Sequence, residues 1–299
     1  MTSLDQKSFE IQERGDVSSI HAFISSVFDA RAAISNRKLW YRGHSKVKYE
    51  LIPTIGRKLE YMGKKVRVTP SEEVQLLHRF RRRAYPLVGR AMTAGEAIFL
   101  ARHHGLPTRV LDWTANALFA LCFACVENQD CDGTVWAMLR RPESEDFDAF
   151  RLAALKDERE LFSFRANGAA DPSDKYALKI LHPFYNSPRL VAQDGAFTWH
   201  SDPWNSIESY AGRSFSHKNL DIERLYRWRV PATYKVTVIK DLSGLGITRR
   251  TVFPDLDGIA GSLWETQVLW WKDPPPYRDR EEPRSSPLPH HLSITHKCR

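Results

Sequence analysis

The sequence predicts an α+β protein: one mixed domain in which helices flank a central, largely antiparallel sheet. Stretches with strand-like patterns are interspersed with stretches of helical spacing, and no regular βαβα alternation links them. We find no internal repeat of the kind that marks solenoids and propellers. The 299 residues are 42% hydrophobic and 11% aromatic, which is enough to fill a core.

The N-terminal part predicts a helix followed by a strand. Residues 1–15 are polar, and we expect them to be loose. Residues 16–34 carry apolar side chains at helical spacing, with Asp16 or Ser18 as the cap. Residues 39–44 then predict a strand that runs into a turn.

The next predicted helix has a clear start and carries a basic cluster. Thr69 can cap it, Pro70 suits its first position, and Glu72 can reach back to the cap. Pro86 is expected to kink or end it. Its arginines are Arg79, Arg81, Arg82 and Arg83. This cluster is the feature that points most sharply to nucleic acid, although such a run is more often a solvated helix face.

The stretch from residue 100 to 124 is the centre of the predicted architecture. A helix ends at His104 and Gly105, a short strand covers residues 109–113, and an apolar helix starts at Asn116. A strand that feeds a helix in this way gathers polar side chains and free backbone N–H groups at one place. The stretch therefore predicts a binding site for an anionic ligand.

The second half predicts further strands and a closing helix. Residues 133–139 and 225–230 read as strands, and residues 188–200 as two strand pieces around a tight Asp-Gly turn. Residues 234–245 fit either a helix or a strand. A last helix is expected to run through Trp271.

These elements place the domain at residues 16–271. Within it, residues 142–183 are charged, carry few apolar runs, and predict loops and short helices in a variable insert. Residues 272–299 are rich in proline and charge, and we expect a disordered tail.

Bulk properties exclude several protein classes. Four cysteines in a chain this long do not form a disulfide framework, and Cys122 and Cys125 lie inside an apolar run, where they predict small buried side chains rather than a zinc site. The longest apolar run, residues 117–126, is too short to span a bilayer. No pattern marks a signal peptide, so we expect a cytoplasmic protein without membrane contact.

Charge and motifs restrict the chemistry only in part. A net charge of +8 permits an acidic partner, but the basic residues are spread along the chain, so a solvated basic surface stays an equal alternative. No Walker-type loop, GxGxxG, GxSxG or HExxH motif is present. The polar residues near the central stretch are therefore the main candidates for a site.

Five residues are candidates on their own chemistry. Arg42 stands at a strand end beside a glycine, where a guanidinium suits phosphate, although its position alone favours a structural arginine paired with a nearby carboxylate. His103 and His104 point to different helix faces, which favours one structural and one site-facing histidine over a shared metal. Asp112 could orient a basic group, and Thr114 could cap the next helix or donate to a ligand.

The chain resembles the FRG domain family, named for its (Phe/Tyr)-Arg-Gly motif. The matching segments are YRG at 41–43, HHGLPTRVLDWT at 103–114, DGT at 132–134, Arg189 with AQDGAF at 192–197, and FPDLDGIA at 253–260. The resemblance covers roughly residues 20–265. Arg102 and Ala117 depart from the family pattern, which usually has glutamine and proline there. The resemblance implies a fold more firmly than an activity.

A second, weaker resemblance is to the core of ADP-ribosyltransferases. It implies that Arg42 binds the phosphates of NAD, that Thr114 braces the ribose, and that residues 117–124 form the helix after the second strand. Gln193, on a later strand, would take the place of the glutamate of those enzymes. A glutamine carries no charge, which counts against transferase activity, although Asp194 or, as the less favoured candidate, Glu265 could supply a carboxylate.

The two resemblances together imply a nucleotide-type pocket. The predicted catalytic residues are Arg42, His104, Asp112, Thr114 and Gln193. The predicted cofactor contacts are Tyr41, Arg42, Gly43, His103, Arg109 and Trp113. We expect an ADP-ribosyltransferase-like effector of a prokaryotic defence (antiphage) or toxin system, which uses NAD and no metal. The alternative is a non-catalytic module that binds nucleotide, or nucleic acid through Arg79, Arg81, Arg82 and Arg83.

Overall fold

The fold is described from a computed structural model. It describes residues 6–61, 63–142, 147–148, 156–158, 178–182, 188–213, 215–216 and 220–271. The chain divides into two compact units, Met1–Ser262 and Leu263–Arg299. Of the second unit, residues 263–271 are described, and they are helical. All the described strands lie in the first unit.

Most strands of the described residues belong to one open mixed sheet. The strands are β1 (Gln6–Lys7), β2 (Glu10–Asp16), β3 (Leu39–His44), β4 (Leu59–Tyr61), β5 (Lys64–Val66), β6 (Val110–Thr114), β7 (Gly133–Arg140), β8 (Phe147–Asp148), β9 (Leu178–His182), β10 (Gly195–His200), β11 (Phe215–Ser216) and β12 (Ile222–Val230). Eight of them pair in the order β2-β12-β7-β3-β6-β10-β9-β8, and the last is only a two-residue edge strand.

Five of the seven pairings in this sheet are antiparallel, and only β2 with β12 and β8 with β9 run parallel. The predicted α+β class with a central, largely antiparallel sheet is confirmed.

Helices cover one face of this sheet. They are α1 (Ile20–Ala32), α2 (Pro70–Val88), α3 (Ala94–His103), α4 (Ala117–Cys125), α5 (Pro188–Gln193), α6 (Ala232–Gly244), α7 (Arg249–Val252) and α8 (Leu256–Trp271). Helices α1, α4 and α6 pack over β3, β7 and β12, and helices α2, α3 and α5 pack over β6 and β10. A third apolar cluster, rich in tryptophan, lies on the opposite face. No described helix is long and apolar enough to cross a membrane.

Several helix boundaries follow the local sequence signals. Thr69 caps α2 and forms a reciprocal capping box with Glu72, as predicted. Helix α3 ends at His103 and Gly105 follows with a φ of +81°, while Asn116 caps α4. Pro86 does not end α2, which continues to Val88 and ends at Gly89, whose φ of +75° is typical of a glycine C-cap.

Two expectations about the N-terminal part are wrong. Residues 10–16 are not loose, because they form the edge strand β2, which pairs in parallel with β12. Their polar character is that of an edge strand with much of its surface in water. Ser19, rather than Asp16 or Ser18, caps α1 through its bond from the N–H of Ala22.

The prediction for residues 188–200 is half right. Residues 195–200 form strand β10, but residues 188–193 form helix α5. Pro188 suits the first turn of a helix, and Asp194 then reverses the chain with a φ of +39°. The ambiguous stretch at 234–245 belongs to helix α6. Most of the predicted insert and the whole predicted tail lie outside the described residues.

Candidate functional site

The site begins where two neighbouring strands part. Strands β3 and β6 pair at a single position, Tyr41 opposite Thr114. Beyond it, Nη1 of Arg42 donates to the main-chain carbonyl of Asp112 over 2.7 Å. A carbonyl that would otherwise need a partner from the sheet is satisfied by a side chain instead. Arg42 therefore fills the split between the strands.

His44 holds Arg42 in place from within the same strand. Nε of Arg42 donates to Nε2 of His44 over 2.9 Å, and Nδ1 of His44 lies 3.0 Å from the carbonyl oxygen of Tyr49. Burial, with the nearby charges of Arg42 and Arg57, keeps the pKa of His44 well below its ordinary value. The imidazole is therefore neutral, with its proton on Nδ1, and it accepts from Arg42.

A second arginine grips the Asp112 carboxylate. Nε of Arg102 lies 3.0 and 3.1 Å from the two carboxylate oxygens, and Nη2 of Arg102 donates to Oδ2. Nη1 of Arg102 donates to the hydroxyl of Thr54 over 2.8 Å. Burial by itself raises the pKa of Asp112, but the charges of Arg102 and Arg42 outweigh it and the net pKa is lowered. The carboxylate is ionised at neutral pH.

Arg42, Arg102 and Asp112 line a cavity of about 320 Å³. Strands β3, β6 and β10 and helices α3, α4 and α5 supply its wall. Its polar lining includes Arg42, Arg102, His103, Asp112, Arg189 and Gln193. Its aromatic lining consists of Tyr41, Phe99, Trp113, Phe123 and Phe197. The lining therefore combines three arginines with five aromatic side chains.

Arg189 is the cavity arginine for which the described residues show no direct ion pair. Its guanidinium carbon lies 4.3 Å from the ring centroid of Phe253, and among the described residues the group makes no ion pair and no hydrogen bond. Phe253 also packs edge-on against Phe123 of the cavity wall. Burial lowers the pKa of Arg189. Its charge is positioned by an aromatic ring and stays available to a ligand.

Close packing of α4 on β3 sets the inner end of the cavity. A Cβ atom on Gly43 would lie 1.9 Å from the carbonyl oxygen of Ala120, so only glycine fits there. Cys122 and Cys125 of α4 are buried in the core, as predicted. The glycine of the YRG motif thus serves the approach of a helix that carries part of the wall.

Comparison with known proteins identifies the central part of the chain. Residues 37–133, about a third of the 299 residues, match the model of the FRG domain. The chain contains an FRG domain. No curated protein and no solved structure matches the chain significantly. The matched region supplies Tyr41, Arg42, Arg102 and Asp112 to the cavity, whereas Arg189 comes from beyond it.

Eight of the ten predicted site residues line the cavity beside this FRG domain signature. They are Tyr41, Arg42, Gly43, His103, Asp112, Trp113, Thr114 and Gln193. Their roles in binding and catalysis stay predictions. The structure does bring segments together that lie far apart in the chain, from strand β3, the end of α3, strand β6 and helix α5.

Two predicted residues lie elsewhere. His104 is the exposed C-cap of α3, and it is His103 that lines the cavity. Arg109 is buried, and its Nε and Nη2 donate to the two carboxylate oxygens of Glu73 over 3.0 and 2.6 Å. The buried carboxylate of α2 holds this guanidinium away from the cavity, so Arg109 has a structural role.

Thr114 and Gln193 differ from their predicted settings. The Thr114 hydroxyl accepts from the N–H of Asn116 and donates to the carbonyl of Gln193, while Asn116 itself caps α4. Gln193 ends helix α5 rather than lying on a strand, and its Nε2 donates to the carbonyl of Val252 over 3.0 Å. Together they join the end of β6 to the turn before β10.

The basic cluster on α2 divides into two parts. Arg81 turns inward, where it donates to the carbonyl of Met92 and pairs with Glu158 over 2.8 Å. Arg79, Arg82 and Arg83 are exposed. The predicted four-arginine surface is therefore a surface of three.

Arg102 and Arg189 are the site residues that the sequence reading missed. Phe99, Arg102 and His103 have the spacing i, i+3, i+4, which places them on one face of α3, and His104 falls outside that face. That spacing is the signal that could have found Arg102. Arg189 had only its place in the family pattern, because its contact with Phe253 joins residues 64 positions apart.

Proposed function

We propose that this cavity binds a nucleotide-type ligand and that NAD is the ligand class that it serves. The observation that carries the proposal is the union of three arginines with a largely aromatic wall around one ionised carboxylate. A ligand with phosphate groups and a flat base carries groups that suit guanidinium and aromatic side chains.

The charge balance supports an anionic ligand. Arg42, Arg102 and Arg189 line the cavity, and Asp112 is the carboxylate among its lining residues. Asp112 engages Arg102 directly and lies 3.8 Å from Nη1 of Arg42, whereas Arg189 has no such partner in the part of the chain that the structure describes. Guanidinium groups bind phosphate oxygens in a two-pronged geometry, which makes them suited to a pyrophosphate.

Aromatic side chains of the cavity suit the base of a nucleotide. Phe99 and Phe197 pack with their ring centroids 5.1 Å apart, and both line the cavity. Rings of this kind accept a stacked base. The cavity volume lies near the small end of the range for ligand sites, roughly 300–1,000 Å³. We therefore expect one half of a dinucleotide to be enclosed and the other half to extend outward.

The candidate reaction is transfer of ADP-ribose, and Asp112 is the residue suited to assist it. In this reaction the acceptor forms a bond to the ribose carbon as the bond to nicotinamide breaks, and nicotinamide leaves with the electron pair. An ionised carboxylate near the ribose stabilises the positive charge that develops on the sugar. Gln193 can hydrogen-bond a ribose hydroxyl but adds no charge. A role as an effector in prokaryotic defence or toxicity stays a prediction.

The direct test is release of nicotinamide from NAD. Purified protein is incubated with NAD and the products are separated by chromatography, beside the variants Asp112→Asn and Gln193→Ala. We expect turnover by the wild type, none by Asp112→Asn and reduced turnover by Gln193→Ala. Full activity of Gln193→Ala would remove that residue from the mechanism, and absence of turnover with bound NAD would leave a binding module.

A second candidate function rests on the exposed arginines of α2. Arg79, Arg82 and Arg83 have the spacing i, i+3, i+4, so they share one helix face. Such a face could contact a phosphate backbone without catalysis. Oligonucleotide binding with a steep salt dependence, lost in the triple glutamine variant and kept in Arg189→Ala, would support this module over the cavity.

A further inference from the structure

A second cavity of about 570 Å³ shares Tyr41 with the first. We call it the α1–α4 groove, because helix α1 and the start of helix α4 form most of its wall. Its apolar lining consists of Phe23, Ile24, Val27, Phe28, Ala115, Ala117, Leu118 and Ala192. Phe28 is 61% exposed, so the groove opens to solvent along α1. Its volume is that of a small-molecule site.

A hydrogen-bonded seam separates the groove from the first cavity. The Thr114 hydroxyl donates to the carbonyl of Gln193, and the N–H of Ala115 donates to the carbonyl of Asp194 over 3.1 Å. Thr114 and Gln193 line the first cavity, whereas Ala115 and Asp194 line the groove. The groove is therefore a compartment of its own.

Two polar groups of the groove, on Arg31 and Tyr41, have no hydrogen-bond acceptor among the described residues. Arg31 is half-buried, and within the described residues its guanidinium has no ion pair and no hydrogen bond. Tyr41 is only 3% exposed, yet its hydroxyl has no hydrogen-bond partner there either. Burial raises the pKa of Tyr41 to about 12, so the hydroxyl keeps its proton and donates. The groove carboxylate, Asp194, already lies 3.5 Å from Lys38.

We propose that the α1–α4 groove binds a small carboxylic acid with an aromatic or branched aliphatic body. Arg31 and the Tyr41 hydroxyl hold the carboxylate, and the side chains of Phe23, Phe28 and Leu118 contact the body. A guanidinium and a neutral donor match a single negative charge, whereas a phosphate dianion would keep part of its charge unpaired. The partial positive charge at the N-terminus of α4 also favours a negatively charged ligand. This site does not depend on the proposed function of the first cavity.

The test is calorimetric titration with 4-phenylbutyrate and with its neutral analogue 4-phenylbutanol. We expect the acid to bind and the alcohol to bind at least about tenfold more weakly, since loss of the charged contact is worth roughly 1.4 kcal/mol or more. Arg31→Gln should weaken binding of the acid by about the same factor and leave binding of the alcohol unchanged. Arg79→Gln, which removes an exposed charge from α2, is the matched control and should change neither.

A variant at the groove edge and a competition experiment complete the test. Phe28→Glu places a carboxylate at the open edge, where the exposed position tolerates it, and should abolish binding of the acid by occupying Arg31. Excess ADP-ribose should not displace the acid, because it belongs to the other cavity. Equal binding of acid and alcohol, or an unchanged Arg31→Gln variant, overturns the proposal. So does binding of a peptide with an acidic, aromatic end when the free acid does not bind.

Discussion

The guanidinium of Arg42 donates to the main-chain carbonyl of Asp112 over 2.7 Å at the point where strands β3 and β6 part. This contact joins the YRG segment to the strand of the central motif, and it opens the sheet at the position of the cavity. The arginine is therefore part of the structure as well as of the candidate site. Its removal should change stability and binding together.

Arg42→Ala should lower the free energy of unfolding by about 2–4 kcal/mol, because it leaves the carbonyl of Asp112 and Nε2 of His44 without their donor. Urea denaturation followed by circular dichroism measures the change. Arg79→Ala, on an exposed helix face, is the control and should stay within about 0.5 kcal/mol of the wild type. Equal stability of the two variants would show that Arg42 does not support the strands.

Gly43→Ala should destabilise the fold by roughly 3 kcal/mol or more, since its Cβ would overlap the carbonyl of Ala120 and push α4 away from β3. Gly244→Ala is the matched control: no atom lies within 4 Å of the Cβ position there, and the change should be neutral or slightly stabilising. Thermal unfolding of both variants checks this. A Gly43→Ala variant as stable as the wild type would contradict the described packing.

Asp112→Asn should separate binding from catalysis. The substitution removes the carboxylate that neutralises Arg102, so ADP-ribose should bind as tightly as before or more tightly. Nicotinamide release should fall by about 100-fold or more, because the charge that stabilises the reacting sugar is lost. Calorimetry and product analysis on the same preparation give the two values. Loss of binding with retained turnover per bound ligand would reverse the assigned role.

Arg189→Ala should weaken the binding of ADP-ribose by about tenfold, which is the effect of losing one charge-assisted contact. Arg249→Ala is the comparison, because Arg249 also approaches the ring of Phe253, at 5.9 Å, but does not line the cavity. Its affinity should match the wild type. If both variants lose affinity equally, the effect comes from Phe253 and not from the charge of Arg189.

Stability should fall as the pH is lowered from 7 toward 5. Burial depresses the pKa of His44 well below 6.5 and that of His200 to about 3. The unfolded chain binds these protons near pH 6.5 and the folded chain does not, so each histidine removes about 1.4 kcal/mol per pH unit below that point. His44→Gln should reduce the slope of unfolding free energy against pH by the contribution of one histidine, about 1.4 kcal/mol per pH unit. Gln75→Ala, an exposed substitution on α2 that removes no titratable group, should leave the slope unchanged.

Local signals were enough to predict much of the fold. The Thr69 capping box, the glycine after α3 and the Asn116 cap each depend on residues a few positions apart. Strand β2 and helix α5 were missed for the opposite reason. Glu10–Asp16 has a polar sequence and becomes a strand by pairing with β12, more than 200 positions away.

The candidate site was predictable to a similar extent. Strand alternation puts Asp112 and Thr114 on one face of β6, but it does not separate Arg109 from the cavity, because Trp113 on the other face also lines the cavity. The local sequence does not indicate that Arg109 pairs with Glu73 or that Arg189 packs against Phe253. Those assignments require the tertiary structure, because the partner comes from another element.

The most direct test of a nucleotide site is titration of the wild-type protein with ADP-ribose and with adenosine by calorimetry at two salt concentrations. Binding in the cavity through Arg42, Arg102 and Arg189 predicts one ADP-ribose per chain, an affinity that falls with salt, and adenosine weaker by at least about tenfold. No heat of binding up to millimolar ADP-ribose, or equal affinity for the two ligands, would contradict a nucleotide site built on these arginines.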